Sequence, residues 1–233
     1  MTDADRLIAE INDYYNRRAL WHDYYMGYRT LEKMERLLQP IIEYIGKYIV
    51  DKNILEIGCG TGNWTQVLAK KAKSVHATDS SPAAIKIAQK KLSEFKNISF
   101  QVSDAYTLSN VERQFNCLFA SDWWSHIPKS KIEVFLKTIT AKLIPEAYVL
   151  FLDMSWKDYF KNEPYYYDIE GNRISIRDLP DGSKFRVVKN FPTENEIRDF
   201  VHNYGTDIIY KEFDSLKRWL VLYRAKDMAF LNV

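Results

Sequence analysis

Ile54-Leu55-Glu56-Ile57-Gly58-Cys59-Gly60-Thr61-Gly62 decides how this chain is read. An apolar run ends at an acid, three glycines crowd the next five residues, and a helical pattern starts at Asn63. Glycine at that density marks backbone that takes positive φ or passes close to a ligand. The spacing is G-x-G-x-G. The dinucleotide fingerprint needs its third glycine where Asn63 stands. No Lys-Ser/Thr pair follows, so a P-loop is excluded. The loop itself carries no Arg or Lys of the kind phosphates recruit. Glu56 makes it acidic instead, which suits a ligand with positive charge.

Outward from the loop, strand and helix patterns alternate. Strands are expected near 53–57, 74–78, 98–102, 116–121 and 147–152. Helices are expected near 63–72, 82–94, 130–143 and 194–204. Ser81-Pro82 supplies a cap and a first-turn proline, and Ser130 and Thr193 are further N-cap candidates. Such alternation implies a parallel sheet with helices on both faces and ligands at the carboxyl ends of the strands. Gly58, Asp79, Asp104 and Ser121-Asp122-Trp123 all fall there. Asp79, at the end of the second strand, is placed to accept from ribose hydroxyls. Three acids at successive strand ends beside a glycine loop describe a nucleoside site without phosphate. S-adenosylmethionine, with ribose, adenine, an ammonium and a sulfonium, fits that description.

The chain resembles the class I S-adenosylmethionine-dependent methyltransferases. Glu56-Ile57-Gly58-Cys59-Gly60-Thr61-Gly62 is similar to that family's first motif, Asp79 to its second and Ser103-Asp104-Ala105 to its third. Tyr14-Tyr15-Asn16-Arg17-Arg18-Ala19 and Ser125-His126-Ile127-Pro128 resemble a bacterial branch acting on small molecules. Pro145-Glu146-Ala147 departs from the family's usual Pro-Gly-Gly turn. The resemblance implies an α/β, Rossmann-like, seven-stranded, mostly parallel sheet ending in an antiparallel hairpin, here from 208–210 and 219–223. It implies S-adenosyl-L-methionine as cofactor, S-adenosyl-L-homocysteine as product and no metal. Glu56 would face the methionyl ammonium, with Gly58, Cys59, Gly60 and Gly62 passing beneath the methionyl-ribose part. Asp79 and Ser80 would take the ribose, Asp104 and Ala105 the adenine, and Ser121 and Asp122 would lie beside the methyl donor. Tyr15 and Arg18 would close over the methionyl carboxylate.

The flanks are aromatic. A helix is expected over about 3–18 and a second through Leu31–Ile49, with Pro40 a point for a kink or a restart. Tyr14, Tyr15, Tyr24 and Tyr25 are placed to reach over a sulfonium by cation–π attraction, the alternative for Tyr14 and Tyr15 being ordinary core aromatics. Residues 173–177 and 184–188 alternate around Asp181-Gly182, a hairpin signal, read here as a lid within an insertion over 156–192. Arg173, Arg177, Lys184 and Arg186 on that hairpin either clamp an anionic substrate or form a solvated edge, the latter being the commoner use. His126, a few residues past the fourth strand, is either a general base or a residue packing the turn before Pro128. Tyr25, Trp123 and Trp124 are the candidate substrate wall.

The 233 residues suffice for one α/β unit, read as a helical cap over 1–50, a cofactor core over 51–155, the insertion, and a last helix with hairpin over 193–233. A net charge of +2 and no strongly basic run argue against a nucleic-acid footprint. No apolar run approaches the ~20 residues that cross a bilayer, and the start is acidic and polar, unlike a secretory signal. Two cysteines and scattered histidines suggest a reducing cytoplasm and no metal site. The expected partner is a small-molecule substrate, with no membrane or nucleic acid, for a monomer or homodimer. The expected chemistry is in-line methyl displacement helped mainly by alignment and water exclusion. The alternatives are a non-catalytic binder of the same cofactor or an enzyme acting on a macromolecule.

Overall fold

A computed structural model describes residues 2–27, 30–227 and 229. Seven strands form one sheet: β1 (Asn53–Ile57), β2 (Ser74–Asp79), β3 (Ile98–Val102), β4 (Phe115–Ser121), β5 (Leu143–Met154), β9 (Gly205–Phe213) and β10 (Arg218–Ala225). Their order is β3-β2-β1-β4-β5-β10-β9. The first five strands are parallel, and β10 runs antiparallel to both β5 and β9. The order reverses direction between β1 and β4, which opens a crevice at their carboxyl ends.

The period of two along the strands sorts their side chains into two cores. Leu55, Ile57, Leu118, Ala120, Val149 and Phe151 face α6 (Ile132–Thr140) and α7 (Glu194–Val201). Ile54, Cys117, Phe119, Leu150 and Leu152 face α3 (Leu31–Ile49) and α4 (Asn63–Ala69). Each such side chain, once fully buried, contributes about 1.5–3 kcal/mol of transfer free energy. α3 buries Met34, Leu38, Ile41 and Ile45 at helical spacing. Pro40 lies on its exposed side and the helix runs on through it, so no restart occurs.

α1 (Asp3–Arg18) begins with a capping box at Thr2 and Asp5. It lies not on the main sheet but on a second, three-stranded one: β6 (Tyr165–Tyr167), β7 (Arg173–Asp178) and β8 (Lys184–Val188). The expected two-stranded lid therefore has a third strand. Leu7, Ile11 and Tyr14 pack against Ile174, Phe185, Val187 and Val188. Arg17 pairs with Asp181 at 2.5 Å and Arg186 with Glu10 at 2.8 Å across the same seam. Helix and small sheet thus form one roof over the crevice. α2 (His22–Tyr25) continues it.

Element ends differ from expectation where local chemistry competes. α4 stops at Ala69, and α5 (Pro82–Lys91), capped by Ser81 as expected, also ends early. Ser130 does not cap α6; its hydroxyl donates to Glu170 instead. Thr193 caps α7 through a capping box with Glu196. At the Pro145-Glu146-Ala147 turn, Glu146 itself takes φ +65° and its carboxylate pairs with Arg224 at 3.0 Å. A non-glycine residue thus holds the left-handed turn.

Candidate functional site

A cavity of about 510 Å³ lies between the strand ends and the roof. Its floor is the glycine loop. Gly58 and Gly60 take φ +65° and +55°. A Cβ on Gly58 would stand 2.9 Å from the Trp123 ring, so the position is closed to other residues by space as well as by φ. Gly62, at φ +83°, caps α4 and faces Leu92 and Ala88 rather than the cavity. The space its missing side chain leaves is thus filled by helix packing.

Asp79 holds the loop's shape. Its carboxylate accepts from Gly60 N and from Ser81 N, each at 2.8 Å. Burial raises its pKa against those two hydrogen bonds. Beside it, Ser80 donates to Asn12 and Ser81 to Asn16, both on α1, which ties the roof to the β2 end. Glu56 is 2 % exposed, and its Oε2 has no hydrogen-bond partner among the described residues. Burial pushes Glu56 up to about 8 against a hydrogen bond with Thr65, with the charge of Asp79 adding to the rise. Burial, then Asp79 and Glu56, likewise push the Cys59 thiol up, which makes it inert as a nucleophile at neutral pH.

At the β4 end, Asp122 takes φ +54°. It accepts from Ser121 Oγ at 3.1 Å and pairs with buried Arg218 at 2.8 Å. Burial works to raise the Asp122 pKa, but Arg218 and Lys189 hold it below its usual value. Trp123 lines the cavity. Trp124 does not: it is a core residue with edge-to-face contacts to Phe151 and Trp219, which corrects its place in the substrate wall.

His126 does line the cavity, with both ring nitrogens engaged. Nδ1 lies 2.6 Å from the Val188 carbonyl and Nε2 2.9 Å from the Tyr15 hydroxyl. A carbonyl can only accept, so Nδ1 carries the proton and Nε2 accepts from the phenol. Burial, then Lys189 and Arg177, keep His126 well below its ordinary pKa, hence neutral. The Tyr15 oxygen also accepts from Arg177 at 3.3 Å. Arg18 is buried, stacks 4.5 Å from the Tyr25 ring centroid, and makes no ion pair among the described residues. Its Nε has no hydrogen-bond partner among the described residues.

Asp104 and Ala105 are not brought into the cavity. The Asp104 carboxylate accepts from Tyr106 N at 2.7 Å in a local turn at the exposed end of β3, and Ala105 is buried in the core. Other lining residues escaped the sequence reading. His22 stands 3.6 Å from a Cβ position on Gly60. Asp23 accepts from Thr61 at 2.5 Å and Asn63 at 2.9 Å and so pins the loop to the roof. Lys157, Lys189 and Arg218 complete the wall. Among the described residues, no group of His, Cys, Asp and Glu could hold a metal ion, and no helix is long and apolar enough to cross a membrane.

Among the described residues, Arg18, Glu56, Trp64 and Trp123 each line the cavity and hold a buried side-chain atom without a partner. A buried carboxylate with one unpartnered oxygen, a buried guanidinium with an unpartnered Nε and a glycine floor fit a zwitterionic amino-acid end attached to a nucleoside. Residues 54–146 match a family model described as a methyltransferase domain. The fold is shared with DhpI, solved with SAH and in a SAM-HEP complex. The SAH form aligns at TM-score 0.75 and 24% identity, covering 94% of this chain and 97% of that one. A malonyl-acyl-carrier-protein O-methyltransferase of Priestia megaterium is 29% identical over 59% of this chain and 48% of its own length. A ubiquinone biosynthesis O-methyltransferase of Coxiella burnetii is 26% identical over 63% of this chain and 62% of its own. The chain thus spans about half the length of these two curated relatives. Residues 54–146 thus match a methyltransferase-domain family, within a fold shared with a protein solved with S-adenosylmethionine and with its homocysteine product.

Proposed function

We propose that the protein transfers a methyl group from S-adenosylmethionine to a small molecule held between the strand ends and the roof. The observation that carries this is the Glu56 Oε2, buried and unpartnered among the described residues beneath a glycine loop that Asp79 holds open. A buried acceptor without a partner costs about 1–3 kcal/mol, which a bound cation returns. Glu56 faces the methionyl ammonium and Arg18 the methionyl carboxylate. Gly58, Cys59 and Gly60 form the floor. Asp79 has lone pairs left over from its two backbone contacts for the ribose hydroxyls, with Ser80 beside it. Ser121 and Asp122 stand next to the methyl.

The cofactor supplies an electrophilic methyl whose leaving group is a neutral thioether. No acid is then needed, and the chain's contribution is to orient the acceptor and exclude water. The roof does the second. Its volume of about 510 Å³ is within the range of small-molecule pockets, roughly 300–1,000 Å³, and leaves room for a small acceptor beside the cofactor rather than for a polymer. His126 orients Tyr15 instead of serving as the base, because its free lone pair already receives the phenol proton. The malonyl and ubiquinone-precursor acceptors implied by the names of the relatives share small size or a small reacting end.

Calorimetry with S-adenosylhomocysteine tests the cofactor assignments. Asp79→Ala should weaken binding at least tenfold. Tight binding by that variant, or none by the wild type, contradicts the reading. Transfer of labelled methyl to a metabolite panel tests the activity.

A further inference from the structure

Resting on that reading, the charge around the acceptor end of the cavity narrows the substrate. Lys157, Arg177, Lys189 and Arg218 line it together with Arg18. The acids that answer them are fewer. Arg218 is matched by Asp122 and Lys189 by Asp153, at 2.8 and 3.6 Å. Glu163 must serve two arginines, Arg173 and Arg177, each at 3.2 Å. Lys157 makes no ion pair among the described residues and is half-buried beside Arg218. Setting Arg18 aside for the methionyl carboxylate, this end still carries surplus positive charge in a place that burial makes expensive.

The hydrogen-bonding capacity points the same way. Lys189 has three N–H donors; one goes to Ser125 at 2.7 Å and another points toward Asp153. Arg177 has five and gives one each to Glu163, Tyr15 and Tyr14. Spare donors therefore remain on both, and both charges bear on His126. Trp123, Met154 and Phe160 add an apolar wall for a short organic tail.

We propose that the methyl acceptor is a small oxyanion, a phosphorus oxyacid or a carboxylate, gripped by Arg177, Lys189 and Lys157, and that its own anionic oxygen is the nucleophile. An acceptor oxygen lone pair forms the new O–CH3 bond while the C–S bond breaks and its electron pair stays on sulfur. The acceptor loses one negative charge and the sulfur its positive charge, so no proton moves. That agrees with a His126 whose nitrogens are both committed. It also splits the hairpin cations: Arg177 faces the cavity, whereas Lys184 and Arg186 form the solvated edge, paired with Asp178 and Glu10.

The test uses the wild-type protein saturated with S-adenosylhomocysteine, titrated by calorimetry with methylphosphonate, methyl phosphate or acetate, and with the neutral dimethyl ester of methylphosphonate. At least one anion should bind about tenfold or more tighter than the ester, and which arm responds separates phosphorus oxyacid from carboxylate. Lys157→Met and Arg177→Gln should each weaken that anion by about tenfold while homocysteine-product affinity moves less than about threefold. Equal binding of ester and acids, or anion binding untouched in both variants, overturns the inference. Failure of S-adenosylhomocysteine to bind at all overturns the underlying methyltransferase reading instead.

Discussion

Glu56 offers a prediction with opposite signs in two assays. In the free protein its pKa is about 8 against an ordinary 4.5, because burial outweighs a hydrogen bond with Thr65 and the charge of Asp79 adds to it. At pH 7 a group of pKa about 8 is about nine-tenths protonated. If the ligand ammonium needs the ionised form, binding at pH 7 must expel about 0.9 proton. Calorimetry of S-adenosylhomocysteine in buffers of different ionisation enthalpy reads that number directly. Affinity should rise about tenfold per pH unit from 6 to 7, each unit being ~1.4 kcal/mol, and level off above 8. Glu56→Gln should bind about tenfold or more weakly and lose the Glu56 share of the pH dependence, leaving only the ligand's own titration. Stability moves the other way. A carboxyl whose folded pKa lies above its unfolded value makes the folded state bind more protons, so stability falls as pH rises from 4.5 through 8. By pH 7 that loss is up to about 3 kcal/mol, and the glutamine variant should recover much of it in urea melts of the free protein, with little gain at pH 4. An affinity flat between pH 6 and 8, with no buffer dependence of the enthalpy, would refute the idea that Glu56 is the ammonium's partner.

Gly58→Ala combines a left-handed φ with a 2.9 Å approach to Trp123 and should cost about 2–4 kcal/mol in urea unfolding; a variant as stable as wild type would mean the loop moves freely. Arg218→Met strands the buried Asp122 carboxylate, so a loss of about 3–5 kcal/mol is expected, with partial recovery in the Asp122→Asn, Arg218→Met double variant; equal stability of single variant and wild type would show the pair to be idle. His126→Gln can still orient Tyr15 and should keep activity within about threefold, with no inflection near pH ~6.5 in the rate profile of the wild type. A pH-rate inflection there, lost in the glutamine variant, would restore His126 as the base.

The sheet was legible because its evidence is local. Alternating runs such as Cys117-Leu118-Phe119-Ala120 declare two buried faces, and the glycine loop and Asp79 lie at fixed positions along the chain. Asp104 shows the limit of that logic. At a strand tip a carboxylate can bond its own backbone two residues on, and Asp104 does so with Tyr106, whereas the similar-looking Asp79 reaches across to Gly60. Trp124 was misread because adjacent residues in a turn point oppositely, and only packing decides which of Trp123 and Trp124 enters the core. Lys157, Lys189 and Arg218 were invisible as site residues since nothing near them in the chain marks them; they meet only through the docking of the small sheet and the last strand. His22 and Asp23 sit in a short aromatic stretch that signals nothing until α2 is laid over Gly60.

The roof joins residues 7–15 to residues 174–188. Such a long chain closure adds little entropy beyond that of a shorter one, but it cannot happen until both ends exist. During synthesis the glycine floor and the first four strands can be complete while the chamber above them is still open to water. The enclosure is complete only once Val188 and then Arg218 have emerged, so it is among the last parts of this chain to form.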